Sequence, residues 1–416
     1  MDHEHRNDIN DVANSIDEFV TDKTEDLLRI CHDLTACNSI NPPGSTVETA
    51  QVIQDFFKKN GIRSELLSLD ETKPNLVSTI ESQKLGKHLI LNGHMDTVSP
   101  GNQSDWSIPL FKGTNRNGKM MGLGLGNMKA GTAALALATL WLHLNKQSWV
   151  GKVTYTAVAD ETIFGENGAD WLLSEYPNLI GDAVICGEGA GKMNTALAEK
   201  GLLWIEIEAI ARSGQGMLAN VGSSAIAKIS RIISQLDQWN KITSVAPKEL
   251  GYLHGESMEE GLRLSVNIGE IIGGHFISQI ATTAKTKVDI RIPPGLTINE
   301  ISAKLDNLCS SEDNISWRVI KGWNPSWTSQ KTKIAKSISR AKNIFLSEAT
   351  QSVVRLPASD ASRWRSLGVP AVCIGPQPEL VSGVDDYAWI SDIVNSAKIY
   401  ALSAWIFLNS NQQIET

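Results

Sequence analysis

The sequence predicts an α/β protein with a second, smaller domain inserted into the first. Between residues 75 and 186, apolar strands alternate with helices, which is typical of a mixed, mostly parallel sheet flanked by helices. Between 199 and 320 the order becomes strand-helix-strand-strand-helix-strand, which fits an α+β domain with a four-stranded antiparallel sheet and two helices. After that segment the helix-strand alternation resumes. We therefore predict a discontinuous outer domain, 1–198 and 321–416, around the insert.

Hydrophobic periodicity and turn residues place the elements of the first half of the outer domain. Leu27, Ile30 and Leu34 share one face of an amphipathic helix, and Gly61 is a suitable C-cap for the next helix. The predicted helices are Asp17–Leu34, Thr46–Asn60, Met128–Asn145 and Gly168–Ser174, and the predicted strands are Asn75–Ile80, His88–Leu91, Lys152–Val158 and Ala183–Cys186.

The insert and the last segment are placed in the same way. Alternation of apolar with other residues indicates strands, and apolar residues at helical spacing indicate helices. In the insert, the predicted strands are Leu202–Ala211, Leu262–Ile271, Lys285–Ile292 and Ile315–Ile320, and the helices are Ser224–Leu236 and Ile298–Leu308. The last segment is predicted to contain a helix at Thr332–Leu346, a buried strand within Gly368–Ile374 and a helix at Trp389–Asn409.

Composition excludes several classes of partner. The formal net charge is −8 and the chain has no basic run, which argues against nucleic acid as a partner. The longest apolar stretches, Thr132–Leu142 and Tyr400–Leu408, are shorter than the ~20 residues that a membrane-spanning helix needs, and Met1–Asp11 is polar. The five cysteines contain no Cys-x-x-Cys pair, which is typical of reduced thiols. We therefore expect a cytoplasmic protein without a membrane partner.

A histidine and an aspartate follow a predicted apolar strand. In Leu89–Val98, His94 stands at the end of the strand and Asp96 two residues later, where the histidine can ligate a metal and the aspartate can orient it. A His-x-Asp pair alone is a weak signal, because a structural histidine is the commoner case. Two segments that follow, Trp106–Phe111 and Gly122–Gly131, strengthen the functional interpretation of this pair.

Together these motifs resemble the zinc-dependent family of aminoacylase, acetylornithine deacetylase, succinyl-diaminopimelate desuccinylase and glutamate carboxypeptidase. The family pattern is Gly-His-x-Asp-x-Val, then Trp-x-x-x-Pro-Phe, then Gly-Arg-Gly-x-x-Asp-Met-Lys-Gly. The resemblance runs from about Ser39 to Leu402, and it implies that the insert is a lid and dimerisation domain and that the protein is a homodimer. Further matches lie at Asp160-Glu161, Gly187-Glu188, Gly273-Gly274, Asp289–Arg291, Ser359-Asp360 and Gly368–Pro370.

The resemblance also implies roles for four residues. The family hydrolyses amide bonds with two zinc ions bridged by a carboxylate, and a glutamate acts as general base and then as general acid. By position, His94 is a metal ligand and Asp96 is the carboxylate that orients it. Glu161 is the general base, and Glu188 is the carboxylate ligand of the same metal as His94.

Three family ligand positions carry other residues in this chain. Asn127 occupies the position of the bridging aspartate, and a neutral amide binds zinc weakly. Thr162 and Ser382 stand where the second metal would take a carboxylate and a histidine, and no histidine follows His275. We therefore expect one zinc ion at most, or none, with Asn127 as a candidate third ligand.

Three residues of the insert align with substrate-binding positions. Gln215 stands where the lid presents a histidine to the partner subunit, and it can still donate a hydrogen bond to a carbonyl oxygen. Ser278 replaces a substrate-binding asparagine. Arg291 is retained and suits a substrate carboxylate, although a structural ion pair is an equal alternative.

These residues leave three hypotheses open. The first is a diverged hydrolase that cleaves the amide bond of a small N-acyl amino acid or peptide-like molecule with one metal. The second is a metal-free enzyme that forms or cyclises an amide or transfers an acyl group, with Glu161 as base. The third is a ligand-binding protein without activity. Retention of Glu161 favours an enzyme, and hydrolysis slightly over the metal-free alternative.

Overall fold

The chain forms two compact units in the computed structural model, which describes residues 2–251, 256–378 and 383–410. The first unit carries a large mixed sheet with helices, and the second carries a separate antiparallel sheet with helices. This architecture confirms the predicted fold class. The first unit comprises Met1–Leu197, Thr328–Ser352 and Ser359–Thr416, and the second comprises Ala198–Trp327 and Val353–Ala358.

The elements are numbered in chain order. The strands are β1 (Glu65–Leu67), β2 (Asn75–Glu81), β3 (His88–His94), β4 (Thr114–Arg116), β5 (Lys119–Met121), β6 (Lys152–Val158), β7 (Ala183–Cys186), β8 (Thr195–Glu199), β9 (Gly201–Ile210), β10 (Ser265–Gly273), β11 (Thr283–Ile292), β12 (Ile315–Trp323), β13 (Ser326–Trp327), β14 (Ser352–Arg355), β15 (Ala371–Cys373) and β16 (Tyr387–Trp389). The helices are α1 (Asp2–Asp22), α2 (Thr24–Ala36), α3 (Val47–Lys59), α4 (Ala130–Leu144), α5 (Ala169–Glu175), α6 (Ala225–Gln238), α7 (Glu256–Leu262), α8 (Ile298–Cys309), α9 (Lys333–Phe345), α10 (Ala361–Ser366) and α11 (Ile390–Asn409).

The nine-stranded sheet is parallel at its centre and antiparallel at its margins. Its order is β1-β2-β6-β3-β7-β15-β8-β13, with β14 also paired to β8. Strand β3 lies between β6 and β7 and is parallel to both, and β15 continues this parallel set. The carboxyl ends of parallel strands meet at one edge of a sheet, which is where open α/β sheets bind ligands. The residues that follow β3, β6 and β7 therefore come together.

Helix α4 is buried almost on every side. Its Ala- and Leu-rich sequence leaves no polar face, so it packs against α11, β3 and β6 in the core of the first unit. An irregular turn at Leu125–Lys129 precedes it, in which Asn127 and Met128 have non-helical backbone angles, so the regular helix begins at Ala130 rather than at the predicted Met128.

The N-terminal region forms two helices where the sequence predicted one. The single helix expected at Asp17–Leu34 is wrong: α1 ends at Asp22, Lys23 has φ −94° and ψ 10°, and α2 begins at Thr24. The prediction also missed the first part of α1, where buried apolar residues recur at helical spacing among many charged ones. These buried residues are Ile9, Ala13, Ile16 and Val20.

The second unit has a four-stranded antiparallel sheet of order β10-β11-β9-β12. Apolar residues of α6 and α8 pack on one face of this sheet, among them Ile229, Ile232 and Leu305, which are fully buried. A small sheet of β16, β5 and β4, which the sequence did not predict, belongs to the first unit. Among the described residues, no helix has both the length and the apolar character needed to cross a membrane.

Candidate active site

Three side chains converge where the parallel strands end. His94 is the last residue of β3, Glu161 follows β6, and Glu188 follows β7. All three are buried, and one ligand atom from each lies within 4.8 Å of the others. The sheet topology thus gathers the residues that the sequence singled out as metal ligands and general base.

The Nε2 atom of His94 faces three oxygen atoms. It lies 3.6 Å from Glu161 Oε2, 3.7 Å from Glu188 Oε1 and 3.4 Å from Asn127 Oδ1. Ligand atoms about 2.0–2.2 Å from a tetrahedral zinc ion lie roughly 3.3–3.6 Å from one another. The observed separations therefore leave room for one ion between His94 Nε2 and these oxygens.

The opposite nitrogen of His94 faces Asp96. His94 Nδ1 lies 3.0 Å from the backbone carbonyl oxygen of Asp96 and 3.6 Å from its Oδ1. An Nδ1–H donated to this carbonyl leaves the Nε2 lone pair free for a metal ion, which is the usual arrangement of a ligating histidine. The histidine is thus oriented as a metal ligand requires.

The Asp96 carboxylate is surrounded by donors. Asp96 Oδ1 accepts a hydrogen bond from the Glu161 backbone N–H at 3.1 Å. Asp96 Oδ2 accepts from the Thr162 backbone N–H at 3.0 Å, from the Thr162 hydroxyl at 2.6 Å and from Asn41 Nδ2 at 2.9 Å. Asp96 therefore fixes the backbone that carries Glu161 as well as the His94 ring.

The buried charges shift one another's pKa. Burial alone would lower the pKa of His94, but the neighbouring carboxylates of Glu161, Glu188 and Asp96 outweigh it and raise the pKa to about 10. Burial and the Glu188 carboxylate raise the pKa of Glu161 well above its usual range. Burial also raises the pKa of Asp360 to about 7. Burial and the close approach of these groups thus raise the pKa of His94, Glu161 and Asp360 together.

One carboxylate oxygen in this cluster lacks a partner. Glu161 Oε1 is buried and makes no hydrogen bond with any described residue. A buried polar atom without a partner costs free energy comparable to a lost hydrogen bond, roughly 1–3 kcal/mol. An ion or its bound water would supply that partner, so the donor set of one imidazole and two carboxylates fits a divalent metal.

A glycine contact brings helix α4 against the loop that carries Glu188. A Cβ on Gly131 would lie 2.1 Å from the Gly187 carbonyl oxygen, so any side chain there would displace the loop. The Thr132 hydroxyl one residue later donates to the His94 carbonyl oxygen at 3.0 Å. The glycine-rich segment therefore positions both His94 and Glu188.

A comparison with protein-family models decides the family. The model of Peptidase family M20/M25/M40 matches residues 90–405, which is well over half of the chain. The chain belongs to peptidase family M20/M25/M40. This result confirms the resemblance found in the sequence, because the aminoacylase, desuccinylase and carboxypeptidase motifs are those of this family.

Individual M20 relatives are distant in sequence and close in fold. A Staphylococcus aureus protein named "Probable succinyl-diaminopimelate desuccinylase" is 24% identical over 377 residues, covering 86% of this chain and 93% of the relative. Human carnosine dipeptidase 1 has a TM-score of 0.75 at 13% identity, covering 96% of this chain and 99% of that one. A dinuclear metal-binding M20 peptidase from Bacillus subtilis has a TM-score of 0.69 at 14% identity, covering 94% and 99%. Membership of M20 supports hydrolysis of small peptide or acyl amino acid substrates in a metal-dependent family.

The three positions at which this M20 chain departs from the family pattern differ in their surroundings. Asn127 lies in the irregular turn before α4, with its amide oxygen facing His94. Thr162 turns its hydroxyl to Asp96. Ser382 lies outside the described residues.

The three predicted substrate-binding residues lie in the second unit and do not all meet. Gln215 pairs with Gln279 in an isolated bridge, and the Gly216 N–H donates to the Ser278 carbonyl oxygen at 2.7 Å, so Gln215 and Ser278 are neighbours. Arg291 lies near the far end of β11, eight residues or about 26 Å from the end nearest Ser278. Its Nε donates to Asp289 at 2.9 and 3.1 Å.

Sequence reasoning missed an asparagine and a lysine beside the site. Asn41 Nδ2 donates to both Asp96 and Asp160 at 2.9 Å, and Lys73 pairs with Asp160 at 2.8 Å. Asp160 has φ +61°, an uncommon conformation for a residue with a side chain, and this turn directs the next two backbone N–H groups at Asp96. Asn41 stands in an Asn-Pro-Pro-Gly segment, a composition typical of a turn that ends a helix, so no signal in the sequence pointed to its role.

A small pocket opens beside Glu161. Ser359, Asp360, Arg363 and Phe164 are among the residues that line it. Asp360 accepts a hydrogen bond from Asn92 Nδ2 at 3.0 Å. The pocket gives the Glu161 carboxyl group a boundary with solvent.

Proposed function

We propose that this protein hydrolyses the amide bond of a small N-acyl amino acid or peptide-like molecule with a single metal ion. His94, Glu188 and the Asn127 amide oxygen would hold the ion, and Glu161 would be the general base. The observation that supports the proposal most is the buried arrangement of His94 Nε2 with three oxygens at 3.4–3.7 Å. One of them is Glu161 Oε2, and the other oxygen of that carboxyl group, Oε1, has no hydrogen-bond partner among the described residues.

Glu161 has the properties of a proton-transfer group. A bound divalent metal would supply Lewis acidity to a water and to the substrate carbonyl. Burial and the Glu188 carboxylate raise the pKa of Glu161, which makes its carboxylate a stronger base than an exposed one. Its carboxylate would take the proton of the attacking water and then donate it to the leaving amine. Asp96 would keep Glu161 in place by holding its backbone N–H.

Two observations support one ion rather than two. Asn127 is neutral, so it cannot offset the charge of two dications as a bridging carboxylate does. Thr162 carries a neutral hydroxyl, which donates its proton to Asp96, and so it supplies no negative charge to a second dication. The serine at position 382 points the same way on sequence grounds. We therefore propose a mononuclear site.

The substrate side of the proposal concerns the second unit. Gln215 and Ser278 are adjacent there and offer an amide and a hydroxyl for a polar substrate group. Arg291 is a weaker candidate, because its guanidinium already pairs with Asp289 and a substrate carboxylate would have to share it. The names of the relatives, a desuccinylase and a dipeptidase, suggest N-acyl amino acids and dipeptides as the first substrates to assay.

Metal content and turnover of matched variants test the proposal. After dialysis against trace zinc, elemental mass spectrometry should find one ion per chain in the wild type and in His32→Ala, an exposed control histidine, and none in His94→Ala. Glu161→Gln should keep the ion and lose roughly 10²–10⁴-fold in turnover of N-acyl amino acids. Two ions per chain would overturn the single-metal proposal. Turnover without metal would favour metal-free chemistry through Glu161.

We also propose a homodimer formed through the second unit. Strand β10 lies at the edge of its sheet, so one row of its backbone groups has no strand partner within the unit. Exposed apolar side chains cluster on and beside it: Ile271, Ile272, Phe276 and Ile277 are 55–97% exposed. Such an edge is prone to pair with a second copy. Ile272→Lys should shift the mass measured by light scattering from dimer to monomer, whereas Val245→Lys, elsewhere on that unit, should not.

A cytoplasmic setting belongs to the same proposal. All five cysteines are buried and none of them forms a disulfide, which suits a reducing compartment. Fractionation of the native host cells with an antibody against the protein would test it, and recovery in a secreted fraction would contradict it.

A further inference from the structure

A second pocket lies elsewhere in the first unit, on helix α9. It encloses about 340 Å³, within the range of small-molecule sites, and none of the described residues that line it is acidic. Its polar lining comprises Lys336, Arg340, Lys342, Gln330, Asn343 and Gln351, together with several hydroxyl groups. It shares no lining residue with the pocket beside Glu161.

Lys342 is buried in the wall of this pocket. The residue is 5% exposed, and its Nζ donates one hydrogen bond, to Thr195 Oγ1 at 2.6 Å. An ammonium group has three protons to donate, and Lys342 contacts no carboxylate among the described residues. A buried charge without a counterion is costly, and burial accordingly lowers the pKa of Lys342 to about 7.

Two further cations face the same space without a counterion. Lys336 and Arg340 lie four residues apart on α9, so they are neighbours on one face of the helix. Like charges at this spacing destabilise a helix by roughly 0.2–0.5 kcal/mol. Neither makes an ion pair with any described residue. Three uncompensated cations and several neutral donors around one pocket form a binding environment for an anion.

We propose that this pocket binds a small molecule carrying a doubly charged anionic group, either a phosphate ester or a dicarboxylate. The guanidinium of Arg340 offers a planar pair of donors, which matches both groups, and Lys342 supplies a desolvated donor. The neutral amides of Gln330, Asn343 and Gln351 bind the rest of the molecule. The proposal is independent of the hydrolytic function, because it involves none of its residues.

Calorimetry on the full-length, metal-loaded protein tests the site with inorganic phosphate and with succinate as separate probes. We expect at least one of them to bind with a Kd below about 1 mM. Arg340→Gln should weaken that binding at least tenfold. Its matched control is Lys331→Gln, which removes the same charge from an exposed residue outside the pocket and should leave the Kd unchanged.

The outcomes separate the alternatives. Tighter binding of phosphate assigns the pocket to phosphate esters, and tighter binding of succinate assigns it to dicarboxylates. Failure of both probes to bind the wild type would overturn the proposal, as would equal weakening by Arg340→Gln and Lys331→Gln, which indicates only general charge attraction. Because Arg340 is exposed, its substitution should not disturb folding, and a thermal melt of each variant verifies this.

Discussion

The hydroxyl of Thr162 donates a 2.6 Å hydrogen bond to Oδ2 of Asp96. The same oxygen accepts from the Thr162 backbone N–H and from Asn41, so it is saturated by protein donors. A donor therefore occupies a position at which the family pattern places a metal-binding carboxylate. This relationship favours the single-metal site that we propose.

Restoring a carboxylate at position 162 should destabilise the protein. In Thr162→Asp, a negative charge would replace a donor directly beside the buried Asp96 carboxylate, so we expect the free energy of unfolding to fall by roughly 1–3 kcal/mol. Urea denaturation measures the change. Thr162→Ser keeps the hydroxyl and should cost less than about 1 kcal/mol. If Thr162→Asp and the wild type were equally stable, a cation would already neutralise the Asp96 carboxylate beside position 162.

Asn127→Asp should strengthen metal binding. The Asn127 amide oxygen lies 3.4 Å from His94 Nε2, so the substitution would convert a weak neutral ligand into a charged one. We expect the zinc Kd, measured by competition with a chelator, to fall at least tenfold, about 1.4 kcal/mol. Asn115→Asp, at an exposed position of β4, is the control for net charge. An unchanged Kd would exclude Asn127 as a ligand.

Zinc binding should release protons and tighten as the pH rises. His94 has its pKa raised to about 10, so at pH 7 the metal-free imidazole is protonated and must lose a proton to bind a metal. Below pH 10 the affinity should therefore increase with pH, by up to about tenfold per unit. Calorimetry in two buffers of different ionisation enthalpy counts the released protons. Affinity that is flat between pH 6 and 9 would contradict the protonated state of His94.

Elements with a clear local pattern were predictable from the sequence. Strand β6 was predicted with both ends correct, since its apolar run is bounded by Gly151 and by the Asp160 turn. Helix α1 was largely missed, because charged residues surround its buried Ile9 and Ile16 and weaken the periodic signal. The break at Lys23 has no Gly or Pro to mark it.

The site shows the same division between local and long-range information. His94, Glu161 and Glu188 each follow an apolar strand, and strand ends in a parallel sheet converge, so their meeting was foreseeable. The contacts of Asn41 with Asp96 and Asp160 span 55 and 119 residues along the chain. No local pattern encodes such a contact, and only the fold reveals it.

Removing the buried ammonium of Lys342 should stabilise the protein at low pH. Its pKa falls from an ordinary value near 10.5 to about 7 in the folded chain, so between these values the unfolded chain binds more protons and stability rises with pH. The destabilisation caused by the buried Lys342 charge is fully present below pH 7 and disappears above about pH 10. Lys342→Met should therefore raise the free energy of unfolding by roughly 1–3 kcal/mol at pH 6, with a gain that shrinks toward pH 10.

The comparison must be made in buffers that lack phosphate and dicarboxylates, because a bound anion would offset the charge of Lys342 and reduce the gain. Lys331→Met, at an exposed lysine near the start of α9, is the matched control and should show no pH-dependent difference. Loss of the hydrogen bond to Thr195 lowers the stability of Lys342→Met by about 0.5–1.5 kcal/mol at every pH. It therefore changes the size of the stability difference but not its dependence on pH. A difference that stays constant from pH 6 to 10 would therefore mean that Lys342 keeps its ordinary pKa and that its charge is already compensated in the folded chain.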